Sequence, residues 1–314
     1  SPQPTRVVQY GHGLFGSMGE VETEYLQEDA QRFGYVLAAT DWVGLAQADA
    51  PGVASMLGSN LTNFAMVPDR CTQGMVNALA VMALIQSSTF AADPVFNFGS
   101  GSSSSSSSSS SASAARSVID PSTTEYSYFG NSEGGIFGGV YMALSTHVER
   151  GLLGVSGAPY ALLLPRSADF SDLFPLIKAR YADPVDRIAL LTVIQMLWDR
   201  AEPAGYLHAI SREPLPGTKA HNVLFHYGLG DAQVSWLGCH TEARSVGAYM
   251  YRSNVIEANE TLFGFHFLQD PEVVAAGSNG IQGFTWGAPP APLVNIPPDK
   301  KTDAHEKPRR DPRA

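Results

Sequence analysis

Tyr126-Ser-Tyr-Phe-Gly-Asn-Ser-Glu-Gly-Gly-Ile-Phe-Gly-Gly-Val-Tyr141 opens as a short aromatic run of strand character and closes as a helix of small residues. Between the halves lies Gly130-Asn-Ser-Glu-Gly134, a G-x-S-x-G. A serine on so tight a strand-to-helix turn takes a strained backbone, and neighbours without a Cβ leave room for it. The turn lifts the Ser132 hydroxyl out at the end of a sheet. There it meets the unpaired N–H groups and positive partial charge of the following helix. Gly135, Gly138 and Gly139 let that helix lie close on the sheet. The pattern alone is common, and a plain glycine turn with a capping serine is its bland alternative. Its place between a strand and a helix makes Ser132 a candidate nucleophile.

Upstream, Thr5-Arg-Val-Val-Gln-Tyr10 reads as a strand, followed by the loop Gly11-His-Gly-Leu-Phe-Gly-Ser17. Its glycines keep the backbone bare, so the N–H of Leu14 is placed to converge with that of Glu133 on a developing carbonyl anion. A plain glycine turn is the alternative, with His12 holding the loop from the core. Glu20 to Phe33 has helical spacing and stops at Gly34, and Tyr35 to Thr40 is the next strand. Asp41 after it reads as a turn cap. Ala48 to Arg70 looks irregular, and Thr72 to Gln86 is a helix. Strands alternating with helices through short loops predict a parallel sheet with right-handed crossovers. Residues 99–115 are dominated by serine, cannot bury apolar surface and read as a flexible surface loop.

Downstream, Gly151 to Ser156 is a buried strand. The apolar helical stretch Leu162 to Ile210 reads as an insertion, 160–215, capping the strand ends and offering an apolar acyl or alkyl pocket. A core-facing helical pair is the alternative. Asn222 to Tyr227 is a strand running into Gly228-Leu-Gly-Asp-Ala-Gln-Val234. Asp231 on that turn is suited to fix a histidine tautomer, or simply to cap a helix over Ser235 to Met250. Three histidines compete as base. His240 sits on that helix, pointing away from the turn, and His266 lies among aromatics in a buried setting. His305 follows the last strand, Ile281 to Trp286, on a polar loop. Chain order favours His305 over His266.

A chain of 314 residues with 44% hydrophobic and 16% charged residues suits one large α/β domain, 1–314. A net charge of −10 argues against nucleic acid as a partner, since phosphate binding needs a concentrated basic face. The apolar helical run Met75 to Ile85 is too short for stable membrane insertion. Cys71 and Cys239 fit one disulfide or two buried thiols, and neither lies in a metal-ligand spacing. No leader-like segment is present, and the opening Ser1-Pro2 without methionine fits processing or trimming.

Taken together, these motifs resemble the α/β-hydrolase superfamily, most of all its serine esterases and lipases. Gly130 to Gly134 matches the nucleophile elbow and His12 to Ser17 is similar to the oxyanion loop. Gly228 to Val234 matches the acid turn, and Ser132, Asp231, His305 is the family's order. The resemblance places Thr5 to Tyr10 at the family's third strand, so its first strands and its customary last helix are not expected here. It implies a mostly parallel sheet flanked by helices and hydrolysis of a small, lipophilic carboxylic ester through an acyl-enzyme. Ser132 would be nucleophile, His305 base, Asp231 its orienting acid, and Leu14 and Glu133 the oxyanion donors. No metal or organic cofactor is expected. The same triad would serve amides or peptides, and a silent binding module on this fold is the rival from another class.

Overall fold

Strands β1 (Arg6–Gly11), β2 (Tyr35–Ala39), β3 (Glu125–Asn131), β4 (Arg150–Gly154), β5 (Asn222–Gly228), β6 (Tyr249–Tyr251), β7 (His266–Leu268) and β8 (Gly280–Phe284) form one sheet. Their order is β2-β1-β3-β4-β5-β8-β6-β7, with every neighbouring pair parallel. The computed structural model describes residues 6–59, 61–98, 116–119, 122, 124–251, 262–268, 278–289 and 299–310. The serine-rich stretch 99–115 lies outside them, and its flanks Asn97–Phe98 and Arg116–Ser117 pair antiparallel.

Helices α1 (Glu24–Phe33), α2 (Ala50–Ser59), α3 (Met66–Ile85), α4 (Glu133–Leu144), α5 (Phe174–Arg180), α6 (Pro184–Trp198) and α7 (Trp236–Ser245) pack around the sheet. Side-chain alternation assigns its two faces. Gln9 of β1 lies beside Tyr128 of β3. Tyr128 stacks on Tyr141 of α4, whose hydroxyl donates to Gln9 Oε1 at 2.7 Å. Gln9 in turn donates to Ala78 O of α3 at 3.0 Å, so this polar residue is buried with its hydrogen bonds made. On the opposite face Tyr10 packs edge-on against Phe129 and meets Tyr25 of α1.

Three boundaries depart from the sequence reading. Ala48 to Arg70 is not irregular: it holds α2 and the start of α3. Pro68 is tolerated in the first turn of α3, where its missing N–H would have had no partner. The helix expected to run to Met250 ends at Ser245, because Gly247 at φ +70° turns the chain into β6. The stretch Leu162 to Ile210 is broken into short helices, with prolines in the first turns of α5, α6 and a short turn at Pro203–Gly205. Cys71 and Cys239 are free, buried thiols. No described helix is long and apolar enough to cross a membrane.

Candidate active site

The sheet itself creates a crevice. From β1 the chain steps to β2 on one side, and the next strand of the sheet, β3, lies on the other. The loops after β1 and β3 therefore diverge at the carboxyl ends of adjacent strands, where open parallel sheets bind ligands. Ser132 follows β3 at φ 60°, ψ −123°, a positive-φ backbone that a residue with a Cβ holds only when its surroundings impose it. Its N–H donates to Gly154 O at 2.9 Å, and Tyr128 Oη donates to Gly134 O at 2.5 Å. A Cβ on Gly134 would stand 2.0 Å from Gly11 O, so only glycine lets the elbow press against β1. The spacing of the G-x-S-x-G thus follows from packing.

Asp231 follows the end of β5, and His305 lies in the segment 299–310, beyond β8 in the chain. Leu229 N donates to Phe284 O at 2.9 Å, continuing the β5–β8 pairing into the acid turn. Asp231 Oδ1 accepts from the N–H groups of Gln233 and Val234 at 2.8 and 3.0 Å, which shapes its own turn. Its other oxygen, Oδ2, lies 2.8 Å from His305 Nδ1, 74 residues away, and both side chains are 1% exposed. A Cβ on Gly228 would meet Ala304 O at 2.0 Å, so that glycine lets the histidine loop dock on the end of β5. With Nδ1 donating to the carboxylate, Nε2 of a neutral His305 carries the lone pair. That Nε2 is buried without a hydrogen bond among the described residues, and His305 lines a cavity together with Ser132. Burial opposes a charge on His305, but the field of Asp231 and their hydrogen bond outweigh it, leaving its pKa above the ordinary 6.5.

The other histidines are placed elsewhere. His240 is buried between the rings of Tyr227, Trp236 and Phe265, and burial pushes its pKa down to about 4. His266, expected among buried aromatics, is exposed on the edge strand β7, because its alternation there faces outward. His12 is fully buried and accepts from Trp42 N at Nε2, 2.8 Å. Its Nδ1 is therefore the protonated one and donates to Gly13 O at 2.8 Å, holding the loop before Leu14.

That loop is tight. Gly16 N donates to Gly13 O and Phe15, at φ 52°, donates to Leu45 O, both at 2.9 Å. Leu14 and Glu133 line a narrow recess with Ser132. Glu133 is the first residue of α4, so its N–H has no acceptor within the helix. Its carboxyl is buried and accepts from Tyr160 Oη, and Tyr160 stacks on Trp198. Burial pushes Glu133 up to about 8, so at neutral pH it places no negative charge beside the elbow. Glu202, behind it, accepts from Tyr160 N at 3.0 Å and from Gln195, and burial lifts it to about 7.

Two cavities open from Ser132. One, about 300 Å³, is polar and is lined by Gly13, Glu20, Asp169, Gln233, His305, Glu306 and Arg309. The other, only about 10 Å³, is apolar and bounded by Ile136, Tyr160, Leu163, Phe170 and Val234. Behind Tyr160 and Phe170 lies a further apolar space of about 40 Å³ against Leu57, Phe64 and Trp198. The segment carrying Asp169 is fastened to the acid turn: Ala168 N donates to Ala232 O at 2.8 Å and Arg166 to Ser235 Oγ at 2.6 Å. The sequence does not single out Tyr160 or Asp169. Neither belongs to a local motif, and only the tertiary fold brings them to the crevice. A larger groove of about 530 Å³ crosses the sheet and contains none of Ser132, Asp231 or His305. Among the described residues no group of three or more His, Cys, Asp or Glu is arranged to hold a metal ion.

No family model and no curated protein matches the sequence. Among solved structures, acetyl xylan esterase 1 from Thermoanaerobacterium sp. JW/SL YS485 is similar at a TM-score of 0.50 and 10% identity, covering 93% of this chain and 71% of that one. An acetyl xylan esterase from Paenibacillus sp. R4 gives a TM-score of 0.49 at 13% identity, covering 92% and 71%. The parallel sheet, the elbow after β3 and the first of these likenesses agree: the chain has the α/β-hydrolase fold.

Proposed function

We propose that the chain is a serine hydrolase of small carboxylic esters. One observation carries the reading. His305 is held by Asp231 at Nδ1, its buried Nε2 has no hydrogen-bond partner among the described residues, and His305 lines one cavity together with Ser132. In this reading Nε2 takes the Ser132 proton as Oγ bonds to the ester carbonyl carbon. The N–H groups of Leu14 and Glu133 hold the oxyanion, and loss of one such donor costs about 100- to 1000-fold in turnover. As the C–O bond to the alcohol breaks, the imidazolium returns the proton to the departing oxygen. Water, deprotonated by the same nitrogen, then releases the acid and restores Ser132. The esterase names of the similar structures agree with this class. The apolar side chains around the recess beside Ser132 suit a short, lipophilic acyl group, which they would have to move apart to seat.

Labelling with a fluorophosphonate, followed by mass spectrometric mapping, tests the assignment. An adduct on Ser132 in the parent that is lost in His305→Ala but kept in His266→Ala is the expected result. Absence of an adduct in the parent overturns the hydrolase reading in favour of a silent binding module. Faster turnover of a matched anilide than of its ester would move the substrate class to amides.

A further inference from the structure

The two cavities at Ser132 differ in chemistry, and the proton path decides which takes which half of a substrate. The leaving oxygen must receive its proton from His305 Nε2, so the alcohol lies in the cavity that His305 lines. The acyl group then lies toward the apolar recess on the other side, whose side chains must part to admit it. The alcohol side is unusual in carrying both signs of charge. Asp169, on the fastened segment, borders both cavities and makes no side-chain hydrogen bond among the described residues. Across the same cavity the Arg309 side chain is 10% exposed, and its buried Nε has no hydrogen-bond partner among the described residues. Glu20 is already engaged by Tyr10 Oη and Gly13 N, and Glu306 by Arg309 and Arg310.

A cationic alcohol would be drawn to Asp169 but repelled by Arg309. A carboxylate-bearing one would meet the reverse. A hydroxyl both donates and accepts, and so satisfies both groups at once. Resting on the ester-hydrolase reading above, we propose that this cavity is a leaving-group subsite for neutral polyhydroxylated alcohols, with Asp169 as the residue that determines the preference. Asp169 accepts a hydroxyl hydrogen of the alcohol, and Arg309 Nε donates to a neighbouring hydroxyl. Neither group takes part in the proton transfers.

The test compares two butyrate esters that share a three-carbon alcohol skeleton: propyl butyrate and 2,3-dihydroxypropyl butyrate. In the parent, kcat/KM should favour the dihydroxy ester by about 10- to 100-fold, the range for a hydrogen bond to a charged partner. Asp169→Leu should bring the ratio close to one. Asp169→Asn, which keeps an acceptor, should fall between. A merely structural loss would lower both esters together and leave the ratio unchanged. A parent ratio near one, or a ratio that survives Asp169→Leu, overturns the subsite while leaving the esterase reading intact. Turnover of neither ester by the parent overturns the hydrolase reading and this inference with it.

Discussion

Replacing Glu133 with glutamine should alter how stability depends on pH far more than stability at any one acidic pH. The carboxyl is 2% exposed, and its proton is held up to about 8 against an ordinary 4.5, chiefly by burial. A folded-state pKa above the unfolded one gives a contribution fully present below pH 4.5 and lost as pH rises through about 8. At about 1.4 kcal/mol per pH unit, the parent should lose roughly 5 kcal/mol relative to the variant across that window. Glutamine keeps the shape and an oxygen that accepts from Tyr160 Oη. Glu202 remains in both proteins, so its own titration largely cancels in the difference. Urea unfolding of both proteins at pH 5 and pH 8.5, with matching m-values, measures the effect. A variant-to-parent gap equal at the two pH values would show that Glu133 does not carry its proton into the folded state.

On the proposed mechanism, in which His305 must be neutral to act, the pH profile of kcat/KM should rise on its acid side with a midpoint above 6.5, since Asp231 helps His305 keep its proton. Its alkaline side should fall near 8 as Glu133 ionises beside the oxyanion, and that limb should vanish in Glu133→Gln. Asp231→Asn should lower kcat by about 1000- to 10,000-fold through loss of the histidine tautomer, measured on any turned-over ester. Gly228→Ala should displace Ala304, whose carbonyl oxygen stands 2.0 Å from the added Cβ, and cost about 100-fold in kcat/KM by misplacing His305. His240→Leu should remove an acid instability. The folded pKa of about 4 lies below the ordinary 6.5, so stability present at neutral pH drains as pH falls, by roughly 3 kcal/mol in the parent by pH 4. Denaturation at pH 7 and pH 4 reads this directly.

The parts of the fold legible in the sequence are those governed by local rules. The elbow is written in glycines because Gly134 touches β1 with its backbone, and the acid turn because Asp231 Oδ1 caps its own N–H groups. His305 could be ranked above its rivals by chain order, but its bond to Asp231 spans 74 residues and leaves no local spacing to read. His266 illustrates the reverse: aromatic neighbours in sequence suggested burial, whereas an edge strand turns alternate residues to solvent. Boundaries failed where single residues decide them, as at Gly247, whose positive φ converts the expected helix end into a strand. Asp169 and Tyr160 were invisible because their places beside Ser132 depend on how the proline-broken stretch 160–210 folds against the elbow.

The bonds from Ala168 to Ala232 and from Arg166 to Ser235 have a kinetic consequence. Swinging the stretch 160–210 away as a rigid flap would pull on the turn that orients Asp231, and so on the imidazole it holds. An open molecule would be a chemically incompetent one, and admission and turnover would occupy separate moments of the cycle. Entry then falls to rotation of single side chains, above all Phe15 and Phe170, which stand between the crevice and the inner apolar space. Rotamer motion is fast but clears little volume. If the proposed ester hydrolysis holds, the molecule would trade breadth of substrate for readiness: small esters would pass without delay, and bulky acyl chains would wait on the slower event.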